Sequence, residues 1–280
     1  MSSLTLYNDV TAQSSKYTTL MYSSSFSSAI GLLDKTLRQP IYDIYGFVRF
    51  ADEIVDTFHE YDKATLLATF KADTYAALDN GISLNPILHR FQLTYNQFNI
   101  DRALLDAFLY SMEMDLSQQS HDQASYSQYI FGSAEVVGLM CLKIFCNGND
   151  AQYEALKPAA QSLGAAFQKV NFLRDIKADF VGMERMYFPN CDFSNFSLSD
   201  KQQIEADIQA DFDAALDGIK ALPVPCRFGV YVAFKYYYAL FNKIKQTNHT
   251  ALLSTRIRIP DYAKLFIVFK AKIRASLNLL

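Results

Sequence analysis

The chain has 280 residues, half of them hydrophobic, which is enough to bury a substantial core. With 26 basic against 29 acidic residues its formal net charge is −3, which excludes broad electrostatic capture of nucleic acid. Ten Gly and seven Pro leave too little turn chemistry for a sandwich or a barrel and point to long helices.

The N-terminus, MSSLTLYNDV, has neither a basic region nor an apolar one, so no secretion signal is visible. Turn clusters fall near 79–86, 147–150, 189–200 and 222–225, and the apolar spacing between them is mostly helical. There is no internal repeat or long linker, and residues 1–280 read as one all-α domain. Patterns of the GxGxxG and P-loop type are absent, which removes the usual nucleotide cradles. Cys141, Cys146, Cys191 and Cys226 form no CxxC pair and have no His at zinc-ligand spacing. They read as reduced thiols in a cytoplasmic protein. No apolar run approaches the ~18 residues of a spanning helix, and the expectation is a soluble chain.

Two helices stand out. The first is predicted over about 40–58, with Pro40 placed at its start. Ile41, Ile44, Val48, Ala51 and Val55 form its core stripe, and Tyr45, Arg49, Asp52 and Asp56 share a second face at i, i+4, i+7, i+11. The second is predicted over about 158–180, from Pro158, with Leu163, Phe167, Val170 and Leu173 as its core stripe. Gln168, Asn171, Asp175 and Asp179 lie together at i, i+3, i+7, i+11. The last segment, 262–280, mixes Leu265, Phe266, Ile267, Val268, Phe269 and Ile273 with Lys264, Lys270, Lys272 and Arg274. It reads as a packed terminal helix with a solvated basic edge, the alternative being peripheral contact with a membrane surface.

A solvated face is the ordinary meaning of Asp on a helix. Here, however, Asp is a poor interior helix former, and each i,i+4 pair of like charges costs roughly 0.2–0.5 kcal/mol. A divalent cation shared between the helices would reverse the sign of that cost. Mg²⁺ suits the ligands best, because it prefers oxygens and commonly takes one or two carboxylates plus substrate phosphates; Mn²⁺ is a plausible substitute. A di-iron bundle would want Glu-x-x-His on two helices. Asp56-Thr57-Phe58-His59 imitates half of that, but the second helix has no His. Arg49, Arg174, Arg185, Arg256 and Arg258 offer forks that match phosphate oxygens. The 22 Phe and 18 Tyr would suit a deep apolar tunnel whose ring faces stabilise a carbocation.

Five segments in order resemble the head-to-head isoprenoid synthases, that is, phytoene, squalene and dehydrosqualene synthases. YSSSFSSAI (22–30) resembles the family's early Ser/Phe motif, and YGFVRFADEIVD (45–56) its first aspartate-rich motif. YIFGSAEVVG (129–138) is similar to the central Tyr–Gly segment, and LGAAFQKVNFLRDIKADF (163–180) to the second motif, followed by ERMYFP (184–189). The resemblance implies an all-α isoprenoid-synthase bundle around a central cavity that takes two prenyl diphosphates. By motif, Asp52, Asp56, Asn171, Asp175 and Asp179 would hold Mg²⁺. Ser25, Arg49, Arg174, Arg185, Tyr237 and Arg256 would contact diphosphate, and Tyr45, Tyr129 and Gln168 would line the reaction centre. Tyr236 and Tyr238 compete with Tyr237, and Arg258 with Arg256, for the last two positions. Glu53 stands where many members have a second Asp, and Glu135 where a small residue is commoner.

The implied activity is condensation of two geranylgeranyl diphosphates to phytoene, or of two farnesyl diphosphates to squalene or dehydrosqualene, with NADPH needed only for squalene. No nicotinamide motif or membrane anchor is visible in the sequence, which favours the non-reducing reaction. A chain-elongating enzyme would show a second DDxxD, and a cyclase an Asn/Ser/Glu triad. A non-catalytic helical partner would have lost at least one of the four Asp.

Overall fold

Most helix starts in this chain are set by a short polar side chain. Asp34, Asp62, Asn85, Asp122, Asn149 and Ser197 each accept a bond from a backbone N–H of the first helical turn. In the computed structural model, residues 3–117, 120–177, 187–189, 191 and 195–277 are described, and the regular elements among them are all helical. They are α1 (Ser3–Tyr22), α2 (Ser24–Ile30), α3 (Lys35–Asp56), α4 (Lys63–Asn80), α5 (Pro86–Gln97), α6 (Arg102–Ser117) and α7 (Gln123–Ile130). A π-helical turn (Phe131–Glu135) leads into α8 (Val136–Cys146), followed by α9 (Asp150–Ile176), α10 (Leu198–Ala221), α11 (Val224–Gln246), α12 (His249–Leu252) and α13 (Asp261–Ser276). The all-α expectation therefore holds.

Neither proline starts its helix. Asp34 caps α3 by accepting from Thr36 N at 2.9 Å, so Pro40 sits inside the helix. Asn149 caps α9 through Gln152 N at 3.0 Å, well before Pro158. In both cases the capping side chain upstream overrides the proline signal, and each proline removes at most one backbone bond. The far end of the second predicted helix, with Asp179, lies outside the described residues, as does Arg185.

α9 packs along α10 and α8, and α3 packs against α1 and α5. One contiguous buried cluster runs through them, with Phe47 stacked on Phe91 at 3.8 Å between ring centres. Asp43, fully buried on α3, is satisfied by Arg90 (3.0 Å), Thr94 (2.8 Å) and Gln39 (2.8 Å), which fixes α3 to α5. Contrary to the sequence reading, the run Gln123–Cys146 is long enough, and its most apolar 18-residue window, with a mean hydropathy of 1.6, apolar enough, to cross a membrane. Taken singly, α7, the π turn and α8 are each too short to span, and they follow one another directly. Half of its most apolar window is buried inside the protein, where it touches α6, α9 and α3.

The terminal helix departs from expectation in one respect. α13 packs on α11 through Ile267, Val268 and Ala271, while Leu265, Phe266, Phe269 and Ile273 are exposed beside the basic edge.

The π turn is held where it is by close backbone approach. A Cβ on Gly132 would lie 2.5 Å from Ala107 O and 2.8 Å from Ser111 Cβ of α6. Gly132→Ala must push the turn off α6, and overpacking of this kind costs about 1–3 kcal/mol. Chemical denaturation should show that loss; an unchanged midpoint would mean the contact has slack.

Candidate active site

α3 and α9 face one another across a cavity of about 640 Å³, and the two stripes seen in the sequence line it. α3 contributes Tyr45, Arg49, Asp52 and Asp56; α9 contributes Gln168, Asn171, Arg174 and Asp175. Tyr129, Tyr237 and Arg256 complete the set that the structure brings together. Ser25 lies apart, in an outer vestibule of about 590 Å³. That vestibule joins the cavity through Tyr22, Ser23, Arg174, Tyr237 and Arg256. Tyr236 and Arg258 line only the vestibule, and Tyr238 bonds Gln209, so the cavity wall is formed by Tyr237 and Arg256.

The cavity is divided by polarity. Away from the acids it is walled by Leu33, Phe145, Leu156, Ile219 and Leu222, with Gly and Ala between them. The helices meet there at van der Waals limits: a Cβ on Gly218 would fall 2.2 Å from Ala159 Cβ, and one on Gly229 2.5 Å from Leu33 Cδ2. At the polar end the rings of Phe26, Phe167 and Tyr237 pack together, Phe167 stacking on Tyr237 at 3.9 Å and Phe26 lying 5.8 Å from it. Such a space suits an amphiphile with a charged head and a long apolar tail.

The acids do not sit comfortably. Burial pushes Asp52 up to about 7, with Asp56 and Asp115 raising it further and Arg49 opposing. Asp115 was missed in the sequence reading: one Asp on α6 has no periodic partner to mark it. It accepts from Tyr129 Oη at 2.8 Å and from Tyr187 Oη at 3.5 Å. Burial likewise lifts Tyr45 to about 12 and Tyr129 far above the usual phenol range. Both phenols therefore stay protonated, and Tyr129 donates to Asp115. Ser23, also missed, caps α2 through Phe26 N (3.1 Å) and bonds Tyr45.

Glu53 has a positional role. It takes Arg49 Nη2 at 2.5 Å and also accepts from Tyr22 Oη and Thr57 Oγ1, while the Tyr22 ring covers the guanidinium at 4.5 Å. Arg49 Nε is buried and, among the described residues, has no acceptor. An orphan guanidinium donor in a cavity wall is a place for an anion. On α9, Asp175 is held by its neighbour Arg174 and by Arg256 Nε at 2.7 Å. Tyr237 Oη donates to Asn171 Oδ1 at 3.3 Å. Glu135 accepts from Gln161 at 2.9 Å and does not line the cavity. His59 lies beside Lys63 Nζ at 2.9 Å and does not line the cavity, so the half motif for iron is not assembled there.

No three His, Cys, Asp or Glu side chains among the described residues form a metal cage unaided. The donor set nevertheless suits Mg²⁺, which completes its shell with waters and phosphate oxygens. Asp52 is the strongest sign of fit, since its ionised form is disfavoured where a cation would favour it.

A helical fold around a cavity with facing acidic stripes defines a class of diphosphate-handling bundle, and the comparisons agree. Residues 21–263 match the squalene/phytoene synthase family, and the chain belongs to it. It is 24% identical over 284 residues to a phytoene synthase of Arthrospira platensis, covering 92% of this chain and 91% of the relative. It is 30% identical over 169 residues to a presqualene diphosphate synthase of Rhodopseudomonas palustris, covering 60% of this chain and 58% of that relative, so this match spans under two thirds of the relative's length. Among solved structures, a dehydrosqualene synthase in complex with ligand superposes with a TM-score of 0.84 at 18% identity, over 96% of this chain and 98% of that one.

The Asp52 shift has a signed consequence for the metal-free protein. The folded state holds this proton up to about pH 7, while an unfolded Asp releases it near pH 4, at about 3.9. Between those values the native state binds more protons, so this group lowers stability as pH rises. Asp52→Asn should flatten that decline in denaturation curves recorded from pH 4 to 8; an unaltered slope would remove Asp52 as its source.

Proposed function

We propose that this chain condenses two prenyl diphosphates head to head, taking two geranylgeranyl diphosphates to phytoene through a cyclopropylcarbinyl diphosphate. The observation that carries the reading is the cavity's division: Arg49, Arg174, Arg256 and the acids at one end, a long apolar depth at the other. The near full-length match to a phytoene synthase supports the C20 substrate. A second reading, condensation of farnesyl diphosphate, is favoured by the relative named presqualene diphosphate synthase and by the fold match to a dehydrosqualene synthase. NADPH would be required only if the product were squalene.

Arg49, Arg174 and Arg256 bind diphosphate oxygens, with Tyr237 and the vestibule's Ser25 as hydroxyl donors. Diphosphate competes with Asp175 for the two guanidinium groups that now hold it, which releases the carboxylate. Asp52, Asp56, Asn171 and Asp175 are the residues that would hold Mg²⁺, or Mn²⁺ in its place; the positions of Asp179 and Arg185 lie outside the described residues. When bound, the metal offsets charge on the departing pyrophosphate. Tyr45, Tyr129 and Gln168 orient the reacting carbons, and the rings of Phe26 and Phe167 stabilise the allylic cation and exclude water. The four unpaired cysteines are consistent with a cytoplasmic setting.

Incubation with Mg²⁺ and geranylgeranyl or farnesyl diphosphate, with and without NADPH, followed by mass spectrometry, tests the reading. A C40 triene formed without NADPH is expected. A C30 product would transfer the assignment to the second reading, and no condensation from either substrate would defeat both. Asp52→Asn and Asp175→Asn should each lower turnover by at least about a hundredfold with the fold intact, since neither removes core volume. Arg49→Ala should weaken diphosphate binding roughly tenfold or more; unchanged affinity would leave it a structural partner of Glu53.

A further inference from the structure

α13 carries two apolar faces, and only one of them is used inside the protein. Ile267, Val268 and Ala271 pack inward, while Leu265 (73% exposed), Phe266 (55%), Phe269 (61%) and Ile273 (44%) form a second stripe that faces solvent. At helical spacing that outer stripe spans roughly 120° with Tyr262 and Leu277 included. Lys270 and Arg274 border it on one side and Lys272 on the other, all exposed, with Lys270 Nζ 4.5 Å above the Phe266 ring. An apolar stripe flanked on both sides by basic residues is the pattern of a helix lying in a lipid–water interface.

The charge around it is equally local. Residues 256–274 hold six of the chain's 26 basic residues and one of its 29 acidic ones, so this stretch is net +5 in a chain of −3. Lys264 Nζ donates to Ser24 Oγ at 2.7 Å, so α13 starts beside the end of α1, where Met21 (66% exposed) and Tyr22 are also uncovered. Arg256, Arg258 and Lys264 line the vestibule that opens into the cavity.

We propose that the outer face of α13 docks the protein on an anionic phospholipid surface, with the aromatic and leucine side chains entering the headgroup region and the flanking lysines and arginine meeting lipid phosphates. A second copy of this chain is the poorer occupant: a two-fold interface would set the same basic border against itself. The docking surface stands on its own geometry and does not depend on the reaction proposed above.

Co-sedimentation of the purified full chain with lipid vesicles tests this. Vesicles of phosphatidylcholine alone are compared with equal mixtures of phosphatidylcholine and phosphatidylglycerol. Binding to the mixed vesicles should be at least about tenfold tighter and should weaken when salt is raised from about 0.1 to 0.5 M. The variant Leu265→Ser/Phe266→Ser/Phe269→Ser should lose at least about a hundredfold in binding, because it removes the inserted area. Lys270→Glu/Lys272→Glu/Arg274→Glu should lose at least about tenfold and also lose the salt dependence. Circular dichroism should show both variants folded, since the altered side chains face outward. Equal binding to both vesicle types, variants that bind like the native chain, or no binding at all would overturn the proposal. A dimer in sedimentation velocity that the serine variant dissolves, with no vesicle binding, would overturn it in favour of a second copy.

Discussion

Like charges held at the end of an apolar cavity are the constraint around which this molecule is arranged. Asp52 lies near Asp56 and Asp115 where burial already disfavours ionisation, and its proton is retained to about pH 7. Stability alone would not select such a group, because Asp52 and Asp56 repel at i,i+4 on α3 and lie toward its C-terminal end, where the helix dipole disfavours anions. What offsets this is the rest of the wall. Tyr129 and Tyr187 donate to Asp115, Arg174 and Arg256 close on Asp175, and Asn171 takes the Tyr237 hydroxyl.

Holding such a site open requires rigid surroundings, and they come from two different kinds of contact. Around α3 the support is polar and buried: Asp43 ties the helix to Arg90 and Thr94 on α5, opposite the face that carries the acids. Around α9 it is steric. Gly164 lies so near Ala134 of the π turn that a Cβ would meet its carbonyl at 2.8 Å, and Gly218 meets Ala159 as closely. Small residues let the helix axes approach, and the π turn shifts the chain's register just where Tyr129 and Ser133 reach the cavity. Packing this tight leaves little freedom for the polar end to relax around its own charges.

Much of this was legible in the sequence, and the exceptions have physical causes. The stripes on α3 and α9 could be read because a helix brings residues three and four apart onto one face, and four functional side chains repeat that spacing. Helix starts were misplaced because Pro40 and Pro158 are louder signals than Asp34 and Asn149, yet a capping side chain satisfies donors that a proline merely lacks. Asp115 is one carboxylate among 29 acidic residues, on a helix with no second functional residue in register, so nothing in the order of letters marks it. Ser23 and Glu53 lie inside segments that the sequence marks, but what they do, bonding Tyr45 and Arg49, shows only in three dimensions. Tyr237 was separable from its neighbours only in three dimensions: in the run Tyr236–Tyr238, Tyr236 turns to Ser28 and Tyr238 to Gln209.

The distribution of charge connects the interior to the surface. A cavity that binds diphosphate needs cations at its mouth, yet the acids inside it need to remain free of permanent arginine partners if they are to hold metal. On α3 the chain meets both demands by placing Arg49 under the control of Glu53 one turn away, whereas on α9 Asp175 is held by Arg174 and by Arg256, which reaches in from the segment before α13. That segment and α13 then continue as a basic surface outside the vestibule, in a protein whose remaining residues carry a net charge of −8 (20 basic against 28 acidic). Cations arranged from α13 inward to Arg256 and Arg174 give an anionic amphiphile a falling electrostatic path to the cavity, and the apolar face of α13 gives its tail a surface at the entrance. The same side chains that make the terminal helix look under-packed thus lie where a lipid-like substrate would first meet the protein.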